Sequence, residues 1–251
     1  MSKIYDIKEN VMMLADYNDP ETHKHLAYHI IISLGGNMKW KVNDEEILCR
    51  GICIDSQVVH VGNKCKEGAL VFLFTITSAY GQSLKKRYLK GHKYCVLDEK
   101  IINEVCRKYM EFDYGVENNK NAISDEELFE TLMKICGLNK KDACIYDKRI
   151  NEILTYVKKN NTIGHSIMDE LSEHVFLSKS RMSHIFKDET GMTLHSYLAL
   201  QKLVKTSNYI DEGMNITEAS IKAGFDTPSH CAATCKKMFG ICLRDVYKTI
   251  K

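Results

Sequence analysis

Hydrophobic and polar positions alternate quickly in the first part of the chain and slowly in the last, and this change of period divides it. From about Ile4 to Thr77, short apolar runs are separated by turn residues: H-I-I-I-S-L at 29–34, N-M-K-W-K-V at 37–42, E-I-L-C at 46–49, I-C-I-D at 52–55 and A-L-V-F-L-F-T-I at 69–76. Gly35-Gly36, Asn43-Asp44 and Gly51 punctuate them, supplying the backbone freedom that tight turns need. Many short strands with regular turns predict a small antiparallel barrel or sandwich. From Leu97 the spacing becomes helical. Leu97–Phe112 sets Ile101, Val105, Tyr109 and Phe112 on one face, and Leu128, Leu132 and Ile135 repeat the pattern after the capping pair Ser124/Glu127. The polar stretch Glu117–Ser124 joins these two helices, and a second one, Leu138–Asp142, leads to a domain boundary near Cys144.

Beyond Asp147 the pattern predicts helices throughout. Ile150, Ile153, Leu154 and Val157 form the stripe of the first; Ser166/Asp169 starts the second; Ser178 caps the third. Leu194–Ile210 is a long fourth helix, Asn215/Glu218 box the start of a fifth, and Thr227-Pro228 opens a sixth with a capping hydroxyl and a proline at the first helical position. Arg244–Ile250 makes a seventh.

Two pairs of these helices have the form of a helix-turn-helix. Ile167–Val175 is followed by Ser178–Glu189, with Phe176-Leu177 in the turn; Ile216–Ala223 is followed by Thr227–Phe239, with Gly224-Phe225-Asp226 in the turn. In the second helix of each pair, Met182, Ile185 and Phe186, and Cys231, Cys235, Met238 and Phe239, are expected to face the core. The remaining positions hold Lys179, Ser180, Arg181, Ser183, His184 and Lys187 in one, and Thr227, Ser229, His230, Ala233, Lys236 and Lys237 in the other. These types suit a DNA groove: Arg can bond a guanine edge with two hydrogen bonds, Ser and Thr bond edges or phosphates, Ala touches a thymine methyl, and Lys neutralises phosphate. The bland alternative is a solvated face on an all-helical bundle, but two units with matching turns favour DNA.

Charge adds a weak signal of the right sign. The whole chain carries only +2, which excludes a strongly basic, nonspecific nucleic-acid binder. From Tyr146 onward there are 15 Lys and Arg against 12 Asp and Glu, a net of +3, and the preceding residues carry 20 against 21, a net of −1. Hydrophobic content of 44% with 27% charged residues fits a protein that buries real cores. No apolar run approaches the roughly 18 residues of a membrane helix, and the first residues do not resemble a secretory leader, so a cytoplasmic protein is expected. The ten cysteines are scattered without a C-x-x-C. They read as small buried side chains rather than a disulfide framework, and the Cys49/Cys53 and Cys231/Cys235 spacings lack zinc-site neighbours.

Residues Asp147–Lys251 resemble the DNA-binding domain of AraC-type transcription regulators. The resemblance rests on L-S-K-S-R-M-S-H-I-F-K-D-E-T-G-M-T-L-H-S-Y from Leu177 and I-T-E-A-S-I-K-A-G-F-D-T-P-S-H-C-A-A-T-C-K-K-M-F-G-I from Ile216. Some positions depart from the family pattern. Cys231 and Cys235 stand where aromatics are usual, Ala219-Ser220 replaces Ile-Ala, Leu243 replaces a Pro, and Lys202 and Thr206 replace Arg and Ala in the helix between the units. Losing two aromatics removes buried area and is expected to loosen the second unit unless neighbours fill the space.

His23-Lys24-His25, then His29 and Gly36, then Gly51 and His60, are similar to the first part of the cupin barrel that many AraC-type regulators use as an effector sensor. Metal-dependent cupins place a Glu where this chain has His29, and regulators of the family generally use the barrel without a metal. Two readings stay open. The effector-binding residues are His23, His25, His29, Trp40 and His60, with Ile31, Ile54 and Phe72 as further lining, or a divalent ion sits on neutral imidazoles. The resemblance thus implies an α+β chain without a resident cofactor. Residues 1–143 form a cupin-like antiparallel β-barrel with following helices that senses an effector, and residues 144–251 form an all-α domain of about seven helices with two helix-turn-helix units. Its partners are double-stranded promoter DNA, a small-molecule effector and RNA polymerase, not a membrane. The helices after the barrel either cap it or pair two copies into a homodimer. The rival readings are a metal-dependent cupin enzyme with a helical appendage and a regulator acting through protein contacts after losing DNA affinity.

Overall fold

The computed structural model describes residues 3–7, 10–15, 22–63, 65, 67–117, 123–142 and 146–239. They fall into two compact units that divide between residues 143 and 144, a point that itself lies outside the described residues.

The first unit holds nine strands: β1 (Lys3–Ile7), β2 (Asn10–Ala15), β3 (Ala27–Ser33), β4 (Met38–Val42), β5 (Glu45–Cys49), β6 (Gly51–Ile54), β7 (His60–Gly62), β8 (Ala69–Thr75) and β9 (Tyr94–Val96). They pair antiparallel in two sheets, β1-β2-β8-β3-β6-β9 and β5-β4-β7. This corrects the barrel expectation. The chain changes sheet at Arg50, between β5 and β6, and among the described residues no ladder joins the outer strands, so both sheets stay open. A single bridge from His23 to His60 adds to the β7 side.

Strands β3, β6 and β8 are buried along their whole lengths, so the pleat sends alternate side chains to two different covered faces. Phe72 and Phe74 of β8 turn one way. Their rings lie 6.3 and 6.4 Å from that of Phe129, on the helical side of the sheet. Register puts Tyr28, Ile30, Ile32, Gly51 and Cys53 on the same face. His29, Ile31, Ile52 and Ile54 turn the other way. Phe72, expected to line the histidine site, is therefore on the opposite side.

Helix α1 (Ala79–Leu84) runs into a π-helical turn at Lys85–Leu89, and α2 (Glu99–Glu117) and α3 (Asp125–Ile135) follow. Ile102, Val105, Cys106, Tyr109 and Phe112 make the buried stripe of α2, one position rotated from the expected Ile101. A Cβ on Gly51 would come within 2.8 Å of Ile102, so α2 packs close against β6. The capping box of α3 forms as its sequence implies: Glu127 N–H donates to Ser124 Oγ, and Ser124 N–H donates to Glu127 Oε2 at 2.9 Å. Residues 118–122 of the connector lie outside the described residues.

The second unit holds α4 (Lys148–Lys159), α5 (Ile167–His174), α6 (Lys179–Thr190), α7 (Leu194–Asp211), α8 (Ile216–Ala223) and α9 (Pro228–Phe239). The expected seventh helix at 244–250 lies outside the described residues. Side chains of Asp147, Ser178, Thr193 and Asn215 accept first-turn N–H groups, and Thr227 Oγ1 accepts from His230 N–H. Each such cap stabilises its helix by about 1 kcal/mol. Ser166 does not cap in this way; its hydroxyl lies 2.6 Å from Glu170 Oε1. Gly224 ends α8 at φ +105, and a Cβ there would meet the Ile163 carbonyl oxygen at 2.1 Å.

Four of the residues that depart from the AraC-type pattern lie in this unit. Cys231 and Cys235 are buried, and Cys231 Sγ lies 4.0 Å from Thr206 Oγ1. Thr206, fully buried on α7, takes up volume beside the smaller Cys231. Lys202, one turn earlier, donates from Nζ to Gly224 O at 2.6 Å and sits over the Phe225 ring. Burial raises the Cys231 thiol to about 11, and that of Cys136 in the first unit to about 12.

Two predictions follow from this packing. Gly213 also has positive φ, at +99, but nothing lies within 4 Å of its Cβ position; Gly213→Ala should cost about 1 kcal/mol from strain alone. Gly224→Ala, which adds a clash to that strain, should cost roughly 3 kcal/mol or more by urea denaturation, and equal losses would mean that the segment around Ile163 yields freely. Cys231→Phe should overpack by about 1–3 kcal/mol. Thr206→Ala should recover part of that in the double variant, with a coupling of at least about 0.5 kcal/mol.

Candidate functional site

Helix α6 buries Met182 and Phe186 and half-buries Ile185, because a twelve-residue amphipathic helix gains stability only by covering its apolar stripe. The same rotation leaves Lys179, Ser180, Arg181, His184 and Lys187 exposed and Ser183 half-buried. Lys179 is not free for a ligand: its ammonium pairs with Asp169 of α5. In the turn before α6, Phe176 is 92% exposed at φ +53, whereas Val175 beside it is buried.

Helix α9 repeats the arrangement. Cys231, Cys235 and Met238 are buried, while Thr227, Ser229, His230, Ala233, Lys236 and Lys237 are exposed; the side chain of Phe239 lies outside the described residues. The α8–α9 turn is held from three sides. Ile163 N–H donates to Ala223 O at 3.2 Å, Thr162 Oγ1 donates to Lys222 O at 2.9 Å, and Lys202 reaches Gly224 O. Phe225 is buried in the turn. Helix α7, with 18 residues, spans roughly 27 Å at 1.5 Å per residue, and it packs against both α6 and α9.

Sequence reasoning passed over one polar group here. The Asp226 carboxylate lies 3.2 Å from His165 Nε2 and 3.4 Å from His230 Nδ1, at the exposed start of α9. His165 belongs to the loop before α5, some sixty residues away along the chain, so no local spacing could signal it.

In the first unit the four expected histidines converge. Ring centroids are 4.6 Å apart for His23 and His60, 4.1 Å for His25 and His29, and 4.9 Å for His29 and His60. His25, His29 and His60 are buried and His23 half-buried. Burial, reinforced by the neighbouring imidazoles, pushes His25 down to about 3 and His29 well below its usual range. Burial also lowers His60 to about 4, although the Val58 backbone opposes the shift. His25, His29 and His60 are thus neutral at physiological pH. Trp40, on β4, is buried with its ring over Gly62, its register partner on β7. Ile31 and Ile54 share the face of His29. A separate cleft of about 580 Å³, lined by Tyr80, Glu130, Lys134, Asn139 and Lys140 among others, opens beside α1 and α3 and touches none of the histidines.

Residues 171–249 match the helix-turn-helix domain family. The arabinose operon regulatory protein of Salmonella typhimurium is 25% identical over 95 residues, covering 38% of this chain and 34% of that protein; the chain therefore spans about a third of the length of this curated relative. Among solved structures, apo ToxT from Vibrio cholerae superimposes over 98% of this chain and 99% of its own, with a TM-score of 0.58 at 10% identity. ToxT from strain O395 covers 100% and 98% with a TM-score of 0.53 at 11% identity. The same protein bound to (E)-4-(8-methylnaphthalen-1-yl)but-3-enoic acid covers 100% and 99% with a TM-score of 0.52 at 13% identity. At such identities these likenesses establish the fold alone. No helix among the described residues is long and apolar enough to cross a membrane. The order of α5 to α9 and the buried Phe225 after Gly224 agree with that match: residues 171–249 carry a helix-turn-helix domain.

Proposed function

We propose that this chain is a cytoplasmic, sequence-specific DNA-binding transcription regulator governed by a small-molecule effector in its N-terminal unit. The observation that carries the reading is the pair of helices α6 and α9, each with a buried stripe and an outward row of Ser, His, Lys and Arg or Ala. Arg181 is the strongest candidate base reader, since guanidinium can bond a guanine edge with two hydrogen bonds. Lys187, Lys236 and Lys237 suit phosphate contacts, and Ala233 suits a thymine methyl. Lys179, engaged with Asp169, contributes less. Helix α7 has a length on the order of one duplex turn, roughly 34 Å, which fits two readers addressing successive major grooves.

The effector reading is supported by the histidine-lined interior of the first unit and by the fold shared with ToxT, one structure of which holds an aryl butenoic acid. An effector shifts the regulator only by binding one arrangement more tightly than another. Two copies pairing through the first unit, with RNA polymerase as the partner downstream, complete the proposal. It does not call for catalysis.

The test is a fluorescence-anisotropy titration of the full chain against fragments from upstream of its own gene. Wild type should bind at least one fragment with a log–log salt slope of several units. Lys236→Ala should reduce that slope by about 0.9 with little change in sequence preference. Arg181→Ala should cost about 1–3 kcal/mol and relax preference at one base pair. Failure of wild type to bind any fragment at low salt would overturn the reading.

A further inference from the structure

His25 and His29 come from one strand and its approach, His60 opens β7 in the other sheet, and His23 is bridged to His60 by backbone hydrogen bonds of 3.1 and 2.9 Å. His29 and His60 are therefore fixed by strand ladders and His23 by its bridge to His60, while His25 lies two residues before β3. One nitrogen from each of His23, His25 and His60 can be chosen so that all three lie within 4.8 Å of one another. Ligand nitrogens around a tetrahedral ion with bonds of about 2.0–2.1 Å sit roughly 3.3 Å apart. Closing the set thus asks for side-chain movements on the order of 1 Å.

The hydrogen bonds aim the rings. A carbonyl can only accept, so the 2.8 Å contact between His60 Nδ1 and Val58 O places the hydrogen on Nδ1 and leaves the Nε2 lone pair for a ligand. His25 Nδ1 lies 2.9 Å from His29 Nε2. His25 Nε2 lies 3.2 Å from the same His29 nitrogen; with the hydrogen on His25 Nδ1, His29 accepts it, and the lone pair on His25 Nε2 reaches an ion once that ring turns away from His29. His29 then acts behind the set, as the second layer of a metal centre does. Around His25 and His29 stand the imidazoles of His23 and His60 and, at His29, the Ile54 backbone, with no carboxylate among the groups acting on them. Ile31 and Ile54, buried on the same face as His29, form the apolar surroundings of the inner end of the site.

The geometry points to a three-histidine site for a first-row divalent transition-metal ion, held by His23, His25 and His60, positioned by His29, with a further coordination position open to water or to a donor atom of a small molecule. An all-imidazole set suits zinc, cobalt, nickel, copper or iron and excludes the oxygen-seeking magnesium and calcium. A role for the ion in regulation rests on the effector reading above; its binding does not, and is measured without DNA.

The experiment titrates Co²⁺ into the chelator-treated full chain and follows its visible absorption. One equivalent should bind, with the d–d bands of an ion on nitrogen ligands and no intense thiolate-to-cobalt charge-transfer band. Zn²⁺ should displace it; Mg²⁺ and Ca²⁺ should not. Because His60→Ala leaves a hole at a buried position, the informative variants are His23→Ala, at the half-buried edge, and His29→Gln, which keeps a polar side chain of similar size, each checked for an unchanged melting curve. His23→Ala should weaken binding at least a hundredfold and His29→Gln about tenfold. No saturable Co²⁺ binding by wild type, a thiolate band placing the ion on the cysteines, or wild-type affinity in His23→Ala would each overturn the assignment.

Discussion

Strand β8 constrains the first unit more than any other element. It lies between β2 and β3, every one of its seven residues is buried, and a strand buried on both sides leaves its neighbours no freedom of register. A slip of one residue would exchange Phe72 and Phe74, packed on Phe129, with Val71 and Leu73. Because β3 pairs with β8 from Ala27↔Thr75 to Ser33↔Ala69, the same constraint decides that His29 faces away from the helices. Aromatic packing on one side of a sheet thereby sets the position of the imidazoles on the other.

That double burial also explains which features could be read in the sequence. A half-solvated strand announces its inner face by alternation, and β4 does so, with Met38, Trp40 and Val42 buried and Lys39 and Lys41 exposed. H-I-I-I-S and A-L-V-F-L-F-T contain no such alternation, so the strands are recognisable while their faces are not, and Phe72, a candidate lining residue, lies on the face away from His29. Strands β7 and β9, three residues each, are too short to show a period, and α1 is six residues of mixed character. The helical unit was legible for the converse reason. Its helices keep a wet face, and hydroxyl or amide caps at Ser178, Thr193, Asn215 and Thr227 mark where they begin. The convergence of His23, His25, His29 and His60 was suggested by spacing, but its distances depend on a bridge between two sheets.

The departures at Lys202, Thr206 and Cys231 are easier to understand as a group than singly. Replacing an aromatic by Cys231 removes buried area, and a threonine at 206 restores some of it from the opposing helix. Lys202 is lowered by burial, with Asp226 opposing, yet it keeps a carbonyl acceptor at Gly224 and an aromatic face at Phe225. A lysine so placed ties α7 to the α8–α9 turn. The second unit is therefore braced through its turn where its recognition helix has lost bulk, and weak packing alone is no ground for regarding α9 as unable to hold its outward row.

A ligand seated among the histidines acts on the two sheets that carry them. Side-chain packing is bistable rather than continuously deformable, so a ligand has leverage where it draws together elements that are otherwise separate. The histidines meet this condition: His29 belongs to the six-stranded sheet and His60 to the three-stranded one, and no ladder among the described residues joins those sheets. Occupation of the space between the rings would add a connection across the two sheets that strand pairing does not make. The free energy available for a shift is the difference in affinity between the spacings the sheets can adopt. A factor of one hundred in that affinity, about 2.7 kcal/mol, is comparable with the coupling energies by which distant sites influence one another, and nitrogen ligands that must move by about 1 Å to close on an ion discriminate strongly between such spacings.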